Sequence, residues 1–370
     1  MTTKRINTAV WLEKYSRWQL KVQKDGERKT FTCSTPGRKG QIECNRKADM
    51  WLEDSSSRPM RVDELYSKWI AELKETTSKS HWTQYSMLGR LYLLPAIGSR
   101  KVAEIHEQHL QDIILRCAKQ GASGKPLSHK TLGDLRTCIS AFVKYCRKNA
   151  QTTLHTENLY IPKNARRGER IVLQPSSLKK LFSTSSTLYK GDVIEDVYVN
   201  AYRFEVVTGL RPGELLNLRL SDVTKTSITV KGSLNAHGEH TQGKNANARR
   251  TIALNDYARE IVDSQRKRIA KWKVRSEYLF CNPDGSQISQ KRYRDNWMRY
   301  RSYNNMEEAT PYGLRHTFAS LIKSLPDDVL KSSMGHSYSF DTRATYTHEL
   351  NGDLERNATM ISGALERYMQ

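Results

Sequence analysis

The chain is 370 residues long, more than one hydrophobic core serves, so two or three domains are expected. Lysine and arginine total 61 against 39 acidic residues, a formal net charge of +22, and a balance this basic calls for a polyanionic partner, nucleic acid first and an anionic membrane surface second. Apolar runs are only a handful of residues long and no concentrated basic amphipathic helix stands out, which sets the membrane reading aside.

The opening MTTKRINTAVWLEKYSRW has no apolar segment followed by a small-residue cleavage site, so a cytoplasmic location is expected. Six cysteines, Cys33, Cys44, Cys117, Cys138, Cys146 and Cys281, form no C-x-x-C pair or metal-finger spacing and are read as reduced, packed thiols.

In chain order, Trp18, Leu20 and Val22 alternate with polar residues, and Asp25-Gly26 marks a hairpin turn, which predicts a small sheet. The stretch after it, with Ile42, Trp51 and Leu52, suits a helix that ends in SSSRP, residues 55–59. This basic module of residues 1–55 is a candidate accessory DNA-binding domain, with Arg17, Lys21, Arg28 and Lys29 as its contact residues; a basic appendage for protein contacts is the alternative.

From residue 61 to 150 the apolar spacing turns helical: Val62, Leu65, Trp69 and Leu73; Leu110, Ile113, Ile114 and Cys117; Leu132, Leu135, Ile139, Phe142 and Val143. An all-helical domain is expected, with interleaved lysines and arginines facing DNA. Residues 151–174 lose that periodicity and read as a linker whose Arg166 and Arg167 can follow a phosphate backbone. Residues 175–370 mix helices and short strands.

This last region holds TGLRPGELLNLRLSDV (208–223), TQGKNANARRTIAL (241–254), YGLRHTFAS (312–320) and MGHSYSFDTRATYTHEL (334–350). They offer two arginines, a lysine, histidines and a tyrosine, with no acidic cluster to hold a metal. A phosphodiester under attack gathers charge on its non-bridging oxygens, and guanidiniums meet that geometry with paired hydrogen bonds. Tyrosine, with a pKa near ~10, attacks once its oxyanion is stabilised by such cations. Phosphoryl transfer from DNA to tyrosine uses this set without a cofactor.

Together these stretches resemble the active-site boxes of the tyrosine recombinase (phage integrase) family. The resemblance implies that Arg211 is the first catalytic arginine, with Glu214 ordering its turn, that Lys244 is the hairpin lysine and that Arg315 is the second arginine. It further places His336 on the scissile phosphate and makes Tyr346 the nucleophile, forming a 3′-phosphotyrosine. Tyr312 departs from the pattern, standing where histidine is commonest, so the base is left among Tyr312, His316 and water. Lys231 rivals Lys244, and Tyr338 and Tyr368 rival Tyr346, while His316 and His348 are read as supporting residues. Thr310 and Pro311 suit the start of a helix that would hold Arg315 rigidly.

The implied fold is multidomain α+β: an arm-binding sheet plus helix, an all-α core-binding domain, and a mainly helical catalytic domain with a small antiparallel sheet. The type with an arm-binding domain belongs to prophages and conjugative transposons, so an element integrase is expected, working as a homo-tetramer on duplex attachment sites of core and arm type through a Holliday junction. An excision factor and a DNA-bending host protein are further implied partners. A type IB topoisomerase-like or resolvase activity, and a DNA-binding regulator without catalysis, are the alternatives. The tail after Tyr346 suits docking onto a neighbouring protomer or folding onto its own domain.

Overall fold

The computed structural model describes residues 5–24, 27–53, 60–242, 249–335 and 352–369. The chain divides into two compact units, Met1–Gly168 and Glu169–Gln370.

The first unit begins with strands β1 (Val10–Leu12), β2 (Arg17–Lys24) and β3 (Glu27–Cys33), antiparallel in that order, with Leu20 opposite Phe31. Two-residue alternation places Leu20, Val22 and Cys33 on one face, where they share a core with Cys44, Ala48 and Leu52 of helix α1 (Gly37–Glu53). Those three helix residues are four apart and form one stripe. Ile42, expected among the apolar helix residues, lies off that stripe and is 58% exposed.

The helical body follows: α2 (Val62–Thr76), α3 (Lys79–Leu88), α4 (Leu94–Ile97), α5 (Glu107–Lys119) and α6 (His129–Lys148). Leu65, Trp69, Leu110, Ile114, Leu135 and Phe142 meet in its core. Ser128 starts α6 by accepting from the Thr131 amide (3.2 Å), which satisfies one of the helix's orphan donors. The chain after α6 runs without regular structure yet stays on this body. The Gln111 side chain pairs both ways with the Tyr160 backbone (3.1 and 3.0 Å), and Leu159 and Ala165 are buried.

The second unit contains α7 (Pro175–Ser183), the hairpin β4 (Ser186–Tyr189) with β5 (Asp192–Glu195), α8 (Val199–Thr208) and α9 (Pro212–Leu216). Four short strands follow, β6 (Ser227–Val230), β7 (Ser233–Leu234), β8 (His240–Thr241) and β9 (Arg250–Ala253), in which β6 pairs with β9 and β7 with β8. Helices α10 (Asp256–Trp272), α11 (Gln290–Tyr303), α12 (Pro311–Leu321), α13 (Asp327–Met334) and α14 (Asp353–Met369) complete it.

Helix α8 is buried on nearly every side because it is packed between α10 and α12 in the middle of the unit. Helix α14 folds onto its own unit: Ile361, Ala364 and Leu365 enter the core, and the Ser362 hydroxyl accepts from the Asp256 amide (3.1 Å). All six cysteines are buried and free. Among the described residues no helix is long and apolar enough to cross a membrane.

Candidate active site

The site is built where α8 gives way to α9. Gly209 ends α8 at φ +66, and a Cβ there would sit 2.2 Å from the Phe318 ring, so only glycine fits the turn. Pro212 then presets the first turn of α9 and Arg211 stands at its N-cap. Glu214 reaches back: its Oε2 accepts from the Arg211 amide (3.0 Å) and its Oε1 from Arg211 Nη1 (2.7 Å). Arg250, at the start of β9, donates to both oxygens of the same carboxylate (3.2 and 3.0 Å).

Burial alone would raise the Glu214 carboxyl, but Arg250 first and Arg211 second outweigh it and hold the group below the usual carboxylate range. Arg211 shows the mirror balance. Burial lowers its pKa, while pairing with Glu214 and the Tyr312 phenol overcome that and raise it. Its side chain keeps 33% exposure, against 9% for Arg250.

Thr310 caps α12 by accepting from the Gly313 amide (3.3 Å), with Pro311 following, as the sequence led us to expect. One turn on, Arg315 points inward at 1% exposure. Its Nη1 donates to the Gly209 carbonyl and its Nη2 to the Met334 carbonyl, both at 2.6 Å. The second arginine thus ties the turn before Arg211, 106 residues earlier in the sequence, to the end of α13. Burial, then the charge of Arg211, brings Arg315 down to about 10, so it remains a cation at neutral pH.

Tyr312 is 46% exposed and its ring lies 5.5 Å from that of His316. Burial, followed by the charges of Arg170 and Arg315, lowers the His316 pKa, which leaves the imidazole neutral near pH 7. Behind the site Glu205 is fully buried. Its Oε2 accepts from the Tyr293 hydroxyl (2.6 Å), and burial pushes its pKa well up.

Of the expected site residues, Arg211, Glu214, Tyr312, Arg315 and His316 gather here. Lys244, His336 and Tyr346, with the rival Tyr338 and the supporting His348, lie outside the described residues. Lys231 pairs with the buried Asp222 (2.5 Å). Tyr368 packs partly buried on the core beside Leu365. In the first unit, strand alternation puts Arg17, Lys21 and Arg28 on the open face of the sheet, but Lys29 stands opposite Val22 on the helix side, its Nζ 5.8 Å from the Phe31 and Trp51 rings. Arg166 and Arg167 are exposed.

The sequence reading did not single out Arg250 or Glu205. Arg250 was within reach, since on β9 it alternates in phase with the buried Ile252. Nothing in the sequence around Glu205 marks it, because an acidic residue in a helix is ordinarily solvated. Among the described residues no group of three His, Cys, Asp or Glu side chains could hold a metal ion.

Comparison with known proteins bears on the family and the fold. The phage integrase family model matches residues 172–352, and that of the phage integrase N-terminal SAM-like domain matches residues 62–116. Tyrosine recombinase XerC of Staphylococcus epidermidis is 28% identical over 154 residues, 40% of this chain, and the match spans about half (48%) of that protein's length. The integrase of Staphylococcus phage L54a is 22% identical over 246 residues, 59% of this chain and 69% of its own.

Among solved structures, the Tn1549 transposon integrase in complex with a circular intermediate DNA superposes with a TM-score of 0.61 at 19% identity, covering 83% of this chain and 99% of that one. A lambda integrase tetramer bound to a Holliday junction gives 0.60 at 13% identity, covering 94% and 99%. At these identities the likeness concerns the fold. Two integrase domain models in the family's order, on a chain whose two box arginines meet at one turn, place this protein in the phage integrase family of tyrosine recombinases.

Proposed function

We propose that this protein is a site-specific DNA recombinase that integrates and excises a mobile element through a covalent 3′-phosphotyrosine. The observation that carries the reading is the meeting of Arg211 and Arg315 at the Gly209 turn, with Glu214 and Arg250 bracing the first arginine. Two cations fixed beforehand at one point are what a phosphodiester needs as its charge grows.

In the reaction Tyr346 Oη gives its proton to the base, Tyr312, His316 or water, and bonds to the scissile phosphorus as the P–O5′ bond breaks. Arg211, Arg315 and His336 hold the non-bridging oxygens, and Lys244 gives the leaving 5′ oxygen its proton. The phosphotyrosine keeps the bond energy, so a 5′ hydroxyl from the partner duplex reverses the step and no nucleotide is consumed. Residues 1–55 bind arm sites, 61–150 core sites, 151–174 link, and 175–370 catalyse. Arg17, Lys21, Arg28, Lys29, Arg166 and Arg167 contact phosphates. Four protomers act on two duplexes in the cytoplasm, a stoichiometry supported by the lambda relative's tetramer on a Holliday junction.

The test is incubation in EDTA with nicked suicide duplexes spanning the ends of the element that encodes the protein. SDS-resistant adducts, absent for Tyr346→Phe, are expected at one phosphate. Tight binding with no adduct would replace this reading with that of a regulator.

A further inference from the structure

A buried guanidinium bound to the same carboxylate as a catalytic one needs a reason of its own. Arg250 is 9% exposed, and its two terminal nitrogens are spent on the two oxygens of Glu214. Its Nε is buried without a hydrogen-bond partner, an unsatisfied donor of the kind proteins rarely tolerate. The face of the guanidinium lies against Gly335, where φ is +59 and a Cβ would come 2.8 Å from Cζ. Gly335 directly precedes His336, and β9, which begins with Arg250, closes the stretch that contains Lys244.

We propose that Arg250 is a positioning residue for strand cleavage, fixing Glu214 so that Arg211 presents an uncompensated positive charge to the scissile phosphate, and holding the turn that leads to His336. The inference rests on the recombinase reading above. Its logic is electrostatic. One carboxylate between two guanidiniums leaves a net charge of +1 on the trio, and the exposed member, Arg211, carries that charge toward solvent. Without Arg250 the carboxylate has Arg211 as its remaining arginine partner. The pair becomes neutral, and the guanidinium intended for phosphate is drawn inward. Lysine cannot replace the clamp, since a single ammonium does not match both carboxylate oxygens in the plane that a guanidinium does.

The test compares single-turnover cleavage of the nicked suicide duplex with a duplex carrying an uncharged methylphosphonate at the scissile position. The unsubstituted protein, Arg211→Ala and Arg250→Ala are each measured, with duplex binding followed separately. A neutral linkage has less need of a guanidinium, so a defect that acts through Arg211 shrinks on it. Arg250→Ala is expected to bind the duplex normally and to cleave the phosphodiester about 100-fold more slowly. On the methylphosphonate it should lose much less, in the pattern of Arg211→Ala.

Equal losses on both linkages, or none, would overturn the proposal. Arg250→Lys, which keeps a cation on a similar stem, serves if the alanine variant fails to fold. It should show the same linkage dependence at smaller size, and wild-type rates on both substrates would overturn the inference equally. Absence of any Tyr346-dependent adduct from the unsubstituted protein would remove the recombinase reading itself, a different result from a defect confined to Arg250.

Discussion

Between Val62 and Ala165 the core is made of Leu, Ile, Val, Ala, Cys, Phe, Tyr and Trp, and the one buried polar residue among those described in the first unit is Gln111. From Glu169 onward the protein buries Asp196, Glu205, Glu214, Asp222 and Arg315, together with several amides and hydroxyls. Apolar burial stabilises at about 25 cal/mol per Å² and asks little of geometry. Buried charge costs several kcal/mol per ion unless each group is paired and oriented. The helical body therefore works as a frame, whereas the second unit gives up stability to hold charges where water would otherwise screen them. The difference teaches where to look for chemistry: at the residues whose burial is expensive.

Substitutions can break or sharpen that contrast. The largest separation is expected between Arg315→Ala and Leu135→Ala. Loss of Arg315 should slow adduct formation by roughly 10²–10³-fold while leaving duplex binding in place. Loss of Leu135, fully buried in the helical body, should cost about 2–5 kcal/mol in urea unfolding and leave the cleavage rate per folded molecule unchanged. A cleavage defect in folded Leu135→Ala would mean that the frame takes part in catalysis.

Next comes Glu214→Ala, which leaves two adjacent arginines uncompensated and should cost about 3–5 kcal/mol by the same unfolding measurement. A cost below about 1 kcal/mol would indicate a solvated pair.

The pH dependence of stability gives a smaller effect. Asp196 is pushed up to about 6 by burial, against which the Tyr198 amide and nearby arginines work only in part. Its folded-state pKa lies above the unfolded value near ~4, so the folded protein binds that proton more tightly. Stability contributed by this group is fully present below pH ~4 and is lost as the pH rises to about 6, at up to ~1.4 kcal/mol per pH unit. Thermal melts between pH 4 and pH 7 should show this slope, and Asp196→Asn should flatten it; an unchanged slope in the variant would assign it to other groups.

Smallest of all, Lys130→Ala, which removes an exposed pair with Asp134 on α6, should change unfolding by no more than ~0.5 kcal/mol.

The helical body was the most legible part of the chain. Its spacing of Val62, Leu65 and Trp69, or Leu132, Leu135 and Ile139, records a packing rule that needs no knowledge of distant residues. The N-terminal sheet was legible in its strands but less so in its faces: Lys29 lies opposite Val22 and near Trp51, on the other face from Arg17, Lys21 and Arg28. Residues 151–165 read as linker because they lack periodicity, although Gln111 and the Tyr160 backbone hold them in place.

In the second unit Arg211, Glu214 and Arg315 could be named from local motifs, since a turn glycine, a helix-starting proline and an acid three residues on are short-range signals.

What the sequence by itself determined was therefore which motif residues to expect together at one turn, Arg211, Glu214 and Arg315, and which stretches fold as helix or strand, because residue type and short-range spacing encode both. Tertiary structure alone decided the environment of each charge: that Arg315 faces two carbonyls rather than solvent, that burial raises the Glu205 carboxyl, and that Arg250 shares Glu214 with Arg211. Desolvation and pairing depend on what packs from the other side, and the partners here come from elements tens of residues away, which no local pattern records.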